Sequence, residues 1–182
     1  MEFNVAIVGA TGAVGREISN ILSEREFPVK NLYPLASEKS VGKEFFFGEK
    51  KYSVIALEKF DFSSVDFVLL SAGSEIAKKI APIAANKNCF VIDNSSAWRM
   101  NPEVPLIVPE VNANVLDNLN GKKIIANPNC STSQLVVALK PLHDEAEITR
   151  VVVSTYQSTS GAGQKAMDEL FSQTKSIFVN DP

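Results

Sequence analysis

The chain has 182 residues, 45% of them hydrophobic and 21% charged, and its formal net charge is −3 at pH 7. This ordinary globular composition includes no basic block and no apolar run approaching about 18 residues, so we expect neither a nucleic-acid partner nor a membrane span. Two cysteines are too few for a disulfide framework and the first residues lack a secretory signal pattern, so we expect a cytoplasmic protein.

The first predicted strand, Val5–Val8, runs into a glycine turn and then an amphipathic helix with Val14, Ile18, Ile21 and Leu22 on one face. In this strand–turn–helix context Gly9 can make the tight turn, Gly12 can admit a pyrophosphate and Gly15 can let the helix pack close to the sheet. The phosphates would then lie on the N-terminal amides of the helix. A glycine turn without a ligand is the alternative.

A polar segment follows the second predicted strand, Val29–Leu35. NAD sites usually carry an acidic residue at this strand end, but Glu38 lies one or two residues beyond it, among hydroxyl and ammonium groups. Such groups suit a 2′-phosphate, so the segment favours NADP over NAD, with Ser37, Lys39 and Ser40 as candidate ligands. A solvated polar loop is the alternative, and Glu38 keeps it open.

The middle of the chain predicts a hairpin from residues 43–47 and 52–56, and then two buried strands, Phe67–Leu70 and Cys89–Asp93. In a doubly wound sheet, a strand end with small residues lies at the ligand crevice, so Ala72 and Gly73 are candidates to back the cofactor. A plain strand–helix loop is an equal alternative. Cys89 lies inside a strand, and we interpret it as a core residue.

A polar loop, Asn94–Met100, follows the second of these strands. Its Arg99 is the one guanidinium in the crevice region, and the planar fork suits a phosphate or a carboxylate. A surface arginine is the alternative. Three prolines make residues 101–111 an irregular connection, after which Asn112 is predicted to cap a short helix ending near Leu119.

One cysteine, Cys130, lies between a strand-like run at 122–125 and a helical pattern from Leu135 to Leu142. The first turn of a helix has unpaired N–H groups and a partial positive charge, which favours the nucleophilic thiolate. A small buried residue is the alternative. The single histidine, His143, lies about 20 Å along the same helix at 1.5 Å per residue, too far to act on the thiol.

The last segment predicts a long strand, Ile148–Tyr156, a small-residue loop and a second helix with Met167, Leu170, Phe171 and Phe178 on one face. Gln157 at the strand end and Ser160–Gly161 in the loop could face the cysteine and a nicotinamide. A glycine hinge is the alternative.

Five segments together resemble the aspartate-β-semialdehyde dehydrogenase family, in the order in which that family carries them. They are residues 9–15, 35–40, 93–100, 127–132 and 156–163. N-acetyl-γ-glutamyl-phosphate reductase has a similar plan, but its cysteine segment differs from the Asn-Cys-Ser-Thr of this chain.

The resemblance implies an α/β fold, a Rossmann-like doubly wound, mostly parallel NADP-binding domain at residues 1–129. Residues 130–182 would begin an incomplete α+β catalytic and dimerisation domain. It also implies that Cys130 forms an acyl-thioester, that Arg99 holds the phosphate of aspartyl phosphate with Asn129 beside it, and that Gln157 contacts substrate. No metal is implied. The implied NADP ligands are Thr11, Gly12, Ala13, Val14, Lys39, Ser40, Ser160 and Gly161.

In the implied reaction, reductive dephosphorylation of aspartyl phosphate yields aspartate semialdehyde for lysine, threonine and methionine biosynthesis. Family members are about twice as long, and their second half supplies a histidine acid/base that His143 does not match, together with much of a homodimer or homotetramer surface. We therefore expect these 182 residues to be a fragment that binds NADP weakly and turns over poorly or not at all. A non-catalytic nucleotide-binding module is the alternative of another class.

Overall fold

The structure, a computed structural model, describes residues 1–179, and the chain divides into two compact units, Met1–Glu147 and Ile148–Pro182. The strands are β1 (Phe3–Val8), β2 (Val29–Ala36), β3 (Glu44–Phe47), β4 (Lys50–Ser53), β5 (Ile55–Ala56), β6 (Phe67–Leu70), β7 (Phe90–Asp93) and β8 (Ile124–Ala126). The helices are α1 (Ala13–Glu24), α2 (Ser74–Asn86), α3 (Pro109–Asn112), α4 (Cys130–Glu145) and α5 (Gln164–Val179).

A six-stranded sheet organises the first unit, with the order β5-β2-β1-β6-β7-β8 in the described residues. All five neighbouring pairs are parallel. The run Val5–Val8 is at most 1% exposed because β1 lies at the centre of the sheet with both faces covered. The chain turns to opposite sides of β1 to form β2 and β6, so the point where the strand order reverses lies beside the glycine turn. The predicted doubly wound α/β fold is confirmed.

The buried face of α1 agrees with the predicted one in part, because Ile18 and Leu22 pack against the core as predicted. Gly15 and Ser19 are its buried residues, whereas Val14 and Ile21 are 42% and 40% exposed. The helix approaches the sheet most closely through its smallest residue, so Gly15 and Ser19 share the contact face with Ile18 and Leu22. The Ser19 hydroxyl is satisfied there, because it donates to the Phe46 carbonyl at 2.7 Å.

The predicted hairpin is shorter than expected. β3 and β4 form the antiparallel pair, with Phe45 opposite Tyr52, while Ile55–Ala56 leave the hairpin as β5 and pair in parallel with β2. Between them Val54 is buried at 2% exposure, which anchors the change of direction in the core. The second half of the predicted hairpin, residues 52–56, is therefore divided between two sheets.

Of two further predictions, one is wrong and the other is confirmed in part. Residues 148–156 form no strand and belong to neither of the described sheets. The predicted short helix is present as a 3₁₀ helix, Ala113–Asn118, with Asn112 at its N-cap position. The Asn112 side chain does not cap this helix, because its Oδ1 accepts from the Val108 N–H at 2.8 Å. The predicted second helix is confirmed as α5.

Candidate active site

The glycine turn after β1 is built by two close backbone contacts. Gly9 has a φ of +85°, and a Cβ there would lie 2.4 Å from the Ser71 carbonyl oxygen. A Cβ on Gly15 would lie 2.3 Å from the Gly9 carbonyl oxygen. These distances exclude a side chain at either position, so the predicted roles of Gly9 in the turn and Gly15 in close helix packing are confirmed.

The N-terminus of α1 is open at the crevice. Gly12 occupies the N-cap position, with no side-chain cap in the described chain, and the first intrahelical bond runs from Arg16 N to Gly12 O at 3.1 Å. The N–H groups of Ala13, Val14 and Gly15 thus lack partners within the helix. Ala13 and Val14 are exposed and Thr11 is half-buried, so this end of the helix can accept a phosphate group.

The segment after β6 lies against the glycine turn. Ser71 N donates to Val8 O at 2.9 Å, and the position of a Cβ on Gly9 is 3.2 Å from the Ala72 Cα. Gly73 has a φ of +84° and precedes α2. The structure therefore brings Ala72 beside Gly9, with Gly73 next in the chain.

The predicted 2′-phosphate segment follows β2 as a single 3₁₀ turn, Glu38–Ser40. Ser40 N donates to Ser37 O at 2.8 Å; the Ser37 and Lys39 side chains are exposed and Ser40 is buried. Because Gly9 N and Ala10 N both donate to Leu35 O, the ends of β1 and β2 are tied together. Glu38 is also exposed, so the turn presents one carboxylate as well as one ammonium group.

Cys130 is the first residue of α4, and it is exposed. Asn129 caps the helix: its Oδ1 accepts from Ser131 N at 3.1 Å and from the Ser131 hydroxyl at 2.6 Å. The Cys130 sulfur lies 3.9 Å from the same oxygen. The thiol is therefore held at a capped helix start rather than in the core, as predicted from the strand-to-helix junction.

Arg99 ties together the loops that follow β7 and β8. Its Nε donates to the Asn127 carbonyl at 2.8 Å, and its Nη2 donates to the Asn94 carbonyl at 3.0 Å. Asn127 Nδ2 in turn donates to Asn94 Oδ1 at 2.7 Å. The guanidinium is thus half-buried and fixed, and it bonds to Asn127, which lies three residues before Cys130 in the chain.

The other cysteine is a core residue, as predicted. Cys89 is fully buried, and its Sγ donates to the Phe62 carbonyl at 3.2 Å. Burial raises the pKa of the Cys89 thiol, so this group stays protonated where an exposed thiol would ionise.

This contrast predicts a large difference in alkylation rate. Treating the chain with iodoacetamide at pH 8 should modify Cys130 at least about 100-fold faster than Cys89, because only the exposed thiol meets reagent. Peptide mass spectrometry over time measures both rates in one sample. Equal rates would contradict the assignment of Cys89 to the core.

The remaining predicted residues lie in the second unit. Gln157 precedes a 3₁₀ turn, Thr159–Ala162, that contains Ser160 and Gly161. The Ser158 hydroxyl caps this turn by accepting from Ser160 N at 3.3 Å. Their roles toward substrate and nicotinamide stay predictions.

His143 lies in the last turn of α4, at the opposite end of the helix from Cys130. The described residues contain no cluster of three His, Cys, Asp or Glu side chains able to hold a metal ion. No helix among residues 1–179 is both long enough and apolar enough to cross a membrane.

An apolar groove of about 360 Å³ lies over β7 and β8. Its lining carries no charged side chain among the residues described, and Asn127 is its one amide. Such walls do not suit a phosphate group, although the groove adjoins the candidate site through Asn127, which bonds to Arg99. The lining residues are Phe67, Phe90, Ile92, Ile107, Pro109, Leu116, Leu119, Ile125, Ala126 and Asn127.

The sequence did not reveal the roles of two asparagines that join the loops after β7 and β8, or of a third asparagine that caps α4. Asn94 and Asn127 each follow a strand directly, a position that points to the crevice edge of a parallel sheet. The N-cap role of Asn129 had a local signal, because asparagine is among the preferred residues at helix starts.

Two family models match the chain: the semialdehyde dehydrogenase NAD-binding domain at residues 4–119 and the semialdehyde dehydrogenase dimerisation domain at residues 139–182. The first agrees with the Rossmann-like sheet and glycine turn described above. The chain belongs to the semialdehyde dehydrogenase family, which confirms the resemblance found in its motifs.

Relatives and solved structures agree. The aspartate-semialdehyde dehydrogenase of Rickettsia conorii is 53% identical over 184 residues, covering 100% of this chain and 54% of that protein. The aspartate semialdehyde dehydrogenase II of Vibrio cholerae, complexed with ASA, superposes with a TM-score of 0.94 at 50% identity, covering 100% and 54%. The Candida albicans enzyme with NADP gives a TM-score of 0.65 at 27% identity, covering 80% and 48%. The chain thus spans about half the length of the relatives it matches.

Proposed function

We propose that the chain is the nucleotide-binding and nucleophile-bearing part of an NADP-dependent aspartate-semialdehyde dehydrogenase. The observation that carries the proposal is the exposed Cys130 at a capped helix start, in the same compact unit as an open glycine turn. Relatives named for this activity, at about 50% identity over the whole chain, support the substrate class.

The proposed reaction uses Cys130 as a covalent nucleophile. Its thiolate attacks the activated carboxyl carbon of aspartyl phosphate, the C–O bond to phosphate breaks, and inorganic phosphate leaves. NADPH, when bound, supplies the hydride that reduces the thioester carbon. Cys130 is then released as the thiolate, and the product is aspartate 4-semialdehyde.

The residues around the glycine turn fit the diphosphate of a dinucleotide. The open N–H groups after Gly12 and the excluded side chains at Gly9 and Gly15 leave backbone donors facing the crevice. We assign this contact to Thr11, Gly12, Ala13 and Val14, with Ala72 and Gly73 behind it. Ser160 and Gly161 are proposed for the nicotinamide end.

Arg99 is proposed to bind the phosphate of the substrate. A guanidinium has five N–H donors, and two of those in Arg99 are used by backbone carbonyls. The three remaining donors lie on Nη1 and Nη2, the end-on edge that pairs with phosphate oxygens. Asn129 and Gln157 are proposed as further substrate contacts.

We prefer NADP to NAD because Ser37, Lys39 and Ser40 follow β2 where a 2′-phosphate would lie. Replacing Lys39 with glutamate should weaken NADPH binding at least about tenfold and change NADH binding less than about twofold, since only NADPH carries the extra phosphate. Calorimetric titration with each nucleotide measures both affinities.

Lys30→Glu is the matched control, because Lys30 is exposed at the other end of β2. Equal losses for NADPH and NADH in Lys39→Glu would contradict the assignment of this turn to the 2′-phosphate.

The domain boundary at 129/130, the homodimer or homotetramer and the low activity of these 182 residues stay proposals. The dimerisation-domain match at residues 139–182 supports assembly. The two-cysteine composition supports a reducing cytoplasm, where the reaction would serve lysine, threonine and methionine biosynthesis.

The direct test is phosphate-dependent formation of NADPH from aspartate semialdehyde, in a version of this chain extended to the full length of its relatives. Turnover with this substrate, and none with N-acetylglutamate semialdehyde, is the expected result. Bound NADPH with zero turnover on both substrates would instead favour a non-catalytic nucleotide-binding module.

A further inference from the structure

Asn127 lies at the centre of a closed set of hydrogen bonds between the loops after β7 and β8. Its N–H donates to Asp93 O at 2.8 Å, and its Nδ2 donates to Asn94 Oδ1 at 2.7 Å. Its carbonyl accepts from Arg99 Nε at 2.8 Å, and Arg99 Nη2 reaches Asn94 O at 3.0 Å. Each of Asn94, Arg99 and Asn127 therefore bonds to the other two.

The connection from Asn127 to the thiol is short and stiff. Only Pro128 and Asn129 separate Asn127 from Cys130, so the two Cα atoms lie at most about 11 Å apart. Pro128 is buried and its ring fixes φ, while Asn129 is engaged in capping α4. A displacement of Asn127 would therefore be passed to Cys130.

The same bonds orient the guanidinium. Arg99 Nε and Nη2 donate to two carbonyls from different loops. The remaining N–H donors of Arg99 therefore keep a fixed direction as long as the two loops stay joined. One link between the loops is a hydrogen bond between two side chains, from the Asn127 amide to the Asn94 amide.

We propose that Asn127 is a positioning residue, whose amide joins the two loops and so holds the Arg99 guanidinium and the Cys130 thiol in one fixed arrangement. The inference rests on the proposed function, in which Arg99 binds the phosphate of the group that Cys130 attacks. It adds a residue that acts through Arg99 and Cys130 by setting the geometry between them.

The competing explanation is that the bond only adds stability. The chain offers a matched bond for comparison, because Asn31 Nδ2 donates to Asn4 Oδ1 at 2.8 Å, between β2 and β1 in the same unit. If Asn127 acts only through stability, removing either amide should have the same consequences.

The test compares alkylation of Cys130 by iodoacetate, an anion, and by neutral iodoacetamide. Both reagents react with the same thiolate, so the ratio of the iodoacetate rate constant to the iodoacetamide rate constant does not depend on the thiolate fraction. This ratio is higher when a cation is held near the sulfur, because only iodoacetate is an anion. Asn127→Ala should lower the ratio about threefold, the size expected when one hydrogen bond that fixes a cation is lost. Arg99→Gln should lower it at least as much, and Asn31→Ala should leave it unchanged.

Asn94→Ala removes the same bond from the other side and should give the same fall, with no further fall in the double variant. A normal ratio in both Asn127→Ala and Asn94→Ala, beside a low ratio in Arg99→Gln, would overturn the positioning role and leave the proposed site intact. A normal ratio in Arg99→Gln would overturn both the positioning role of Asn127 and the proposed placement of Arg99 at the site. Circular dichroism melting confirms that each variant is folded when labelled.

Discussion

Replacing Cys130 with serine is expected to abolish turnover in a version of the chain extended to the full length of its relatives. Serine keeps the size of the side chain and the possibility of hydrogen bonding to Asn129, but its hydroxyl does not ionise near neutral pH. The loss in kcat should be at least about a thousandfold, because the hydroxyls left at this helix start are far weaker nucleophiles than a thiolate. KM for aspartate semialdehyde and NADPH affinity should change little, since the proposed binding groups remain.

The control for this experiment is Cys89→Ala. Cys89 is buried and its sulfur bonds to Phe62, so the variant should lose about 1 kcal/mol of stability while kcat stays within about twofold. A rapid burst of thioester formation, detected by intact mass after quenching with acid, should be present in Cys89→Ala and missing in Cys130→Ser. A Cys130→Ser variant with normal turnover would remove the basis of the proposed mechanism.

The strands and helices of the first unit were largely predictable, because each is marked by a local pattern. Val5–Val8 and Phe67–Leu70 are continuous apolar runs that end at glycine or small polar residues, and buried parallel strands have this form. Hydrophobicity predicted only part of the contact face of α1, namely Ile18 and Leu22, which pack against the core. There the close approach of Gly15 to the glycine turn decides the orientation, and Val14 and Ile21 remain outside.

The segment at 148–156 shows what a local pattern omits. Its run of β-branched residues has strand propensity, but a strand forms only with a neighbour that is set by the rest of the fold. Val151, Val152 and Val153 are 52%, 81% and 55% exposed in the described structure. Propensity alone could not supply the pairing.

The candidate active site likewise has one part that the sequence could predict and one part that it could not. Cys130 and the glycine turn could be predicted because a strand, a short motif and a helix follow one another in the chain. The bonds among Asn94, Arg99 and Asn127 could not, because they depend on β7 and β8 being neighbours in the sheet. Residues about thirty positions apart come together only once the strand order is known.

Two substitutions in the glycine turn are expected to separate stability from cofactor binding. A Cβ on Gly15 would lie 2.3 Å from Gly9 O and 2.8 Å from the Ala10 Cα, and both contacts are with backbone. Gly15→Ala must therefore push α1 away from the sheet, at a cost of about 3 kcal/mol. For a domain of this size the melting temperature should fall by about 10 °C.

Gly12→Ala meets a different environment. Its Cβ would contact only the Gly9 carbonyl oxygen at 3.3 Å, and Gly12 already has a φ of −74°, which alanine adopts without strain. The melting temperature should therefore change by less than about 3 °C. NADPH affinity should still fall at least about tenfold, because the added methyl occupies the place where the backbone is proposed to approach the pyrophosphate.

Gly161→Ala serves as the neutral comparison for stability, since nothing lies within 4 Å of a Cβ at that position among the residues described. Melting curves and NADPH titrations on the three variants give the complete comparison. If Gly12→Ala keeps full NADPH affinity, the phosphates do not lie on this helix start, because a diphosphate could not approach the backbone at this position past a methyl group without a measurable loss. If Gly15→Ala melts like Gly161→Ala, the tight packing of α1 on the turn is wrong.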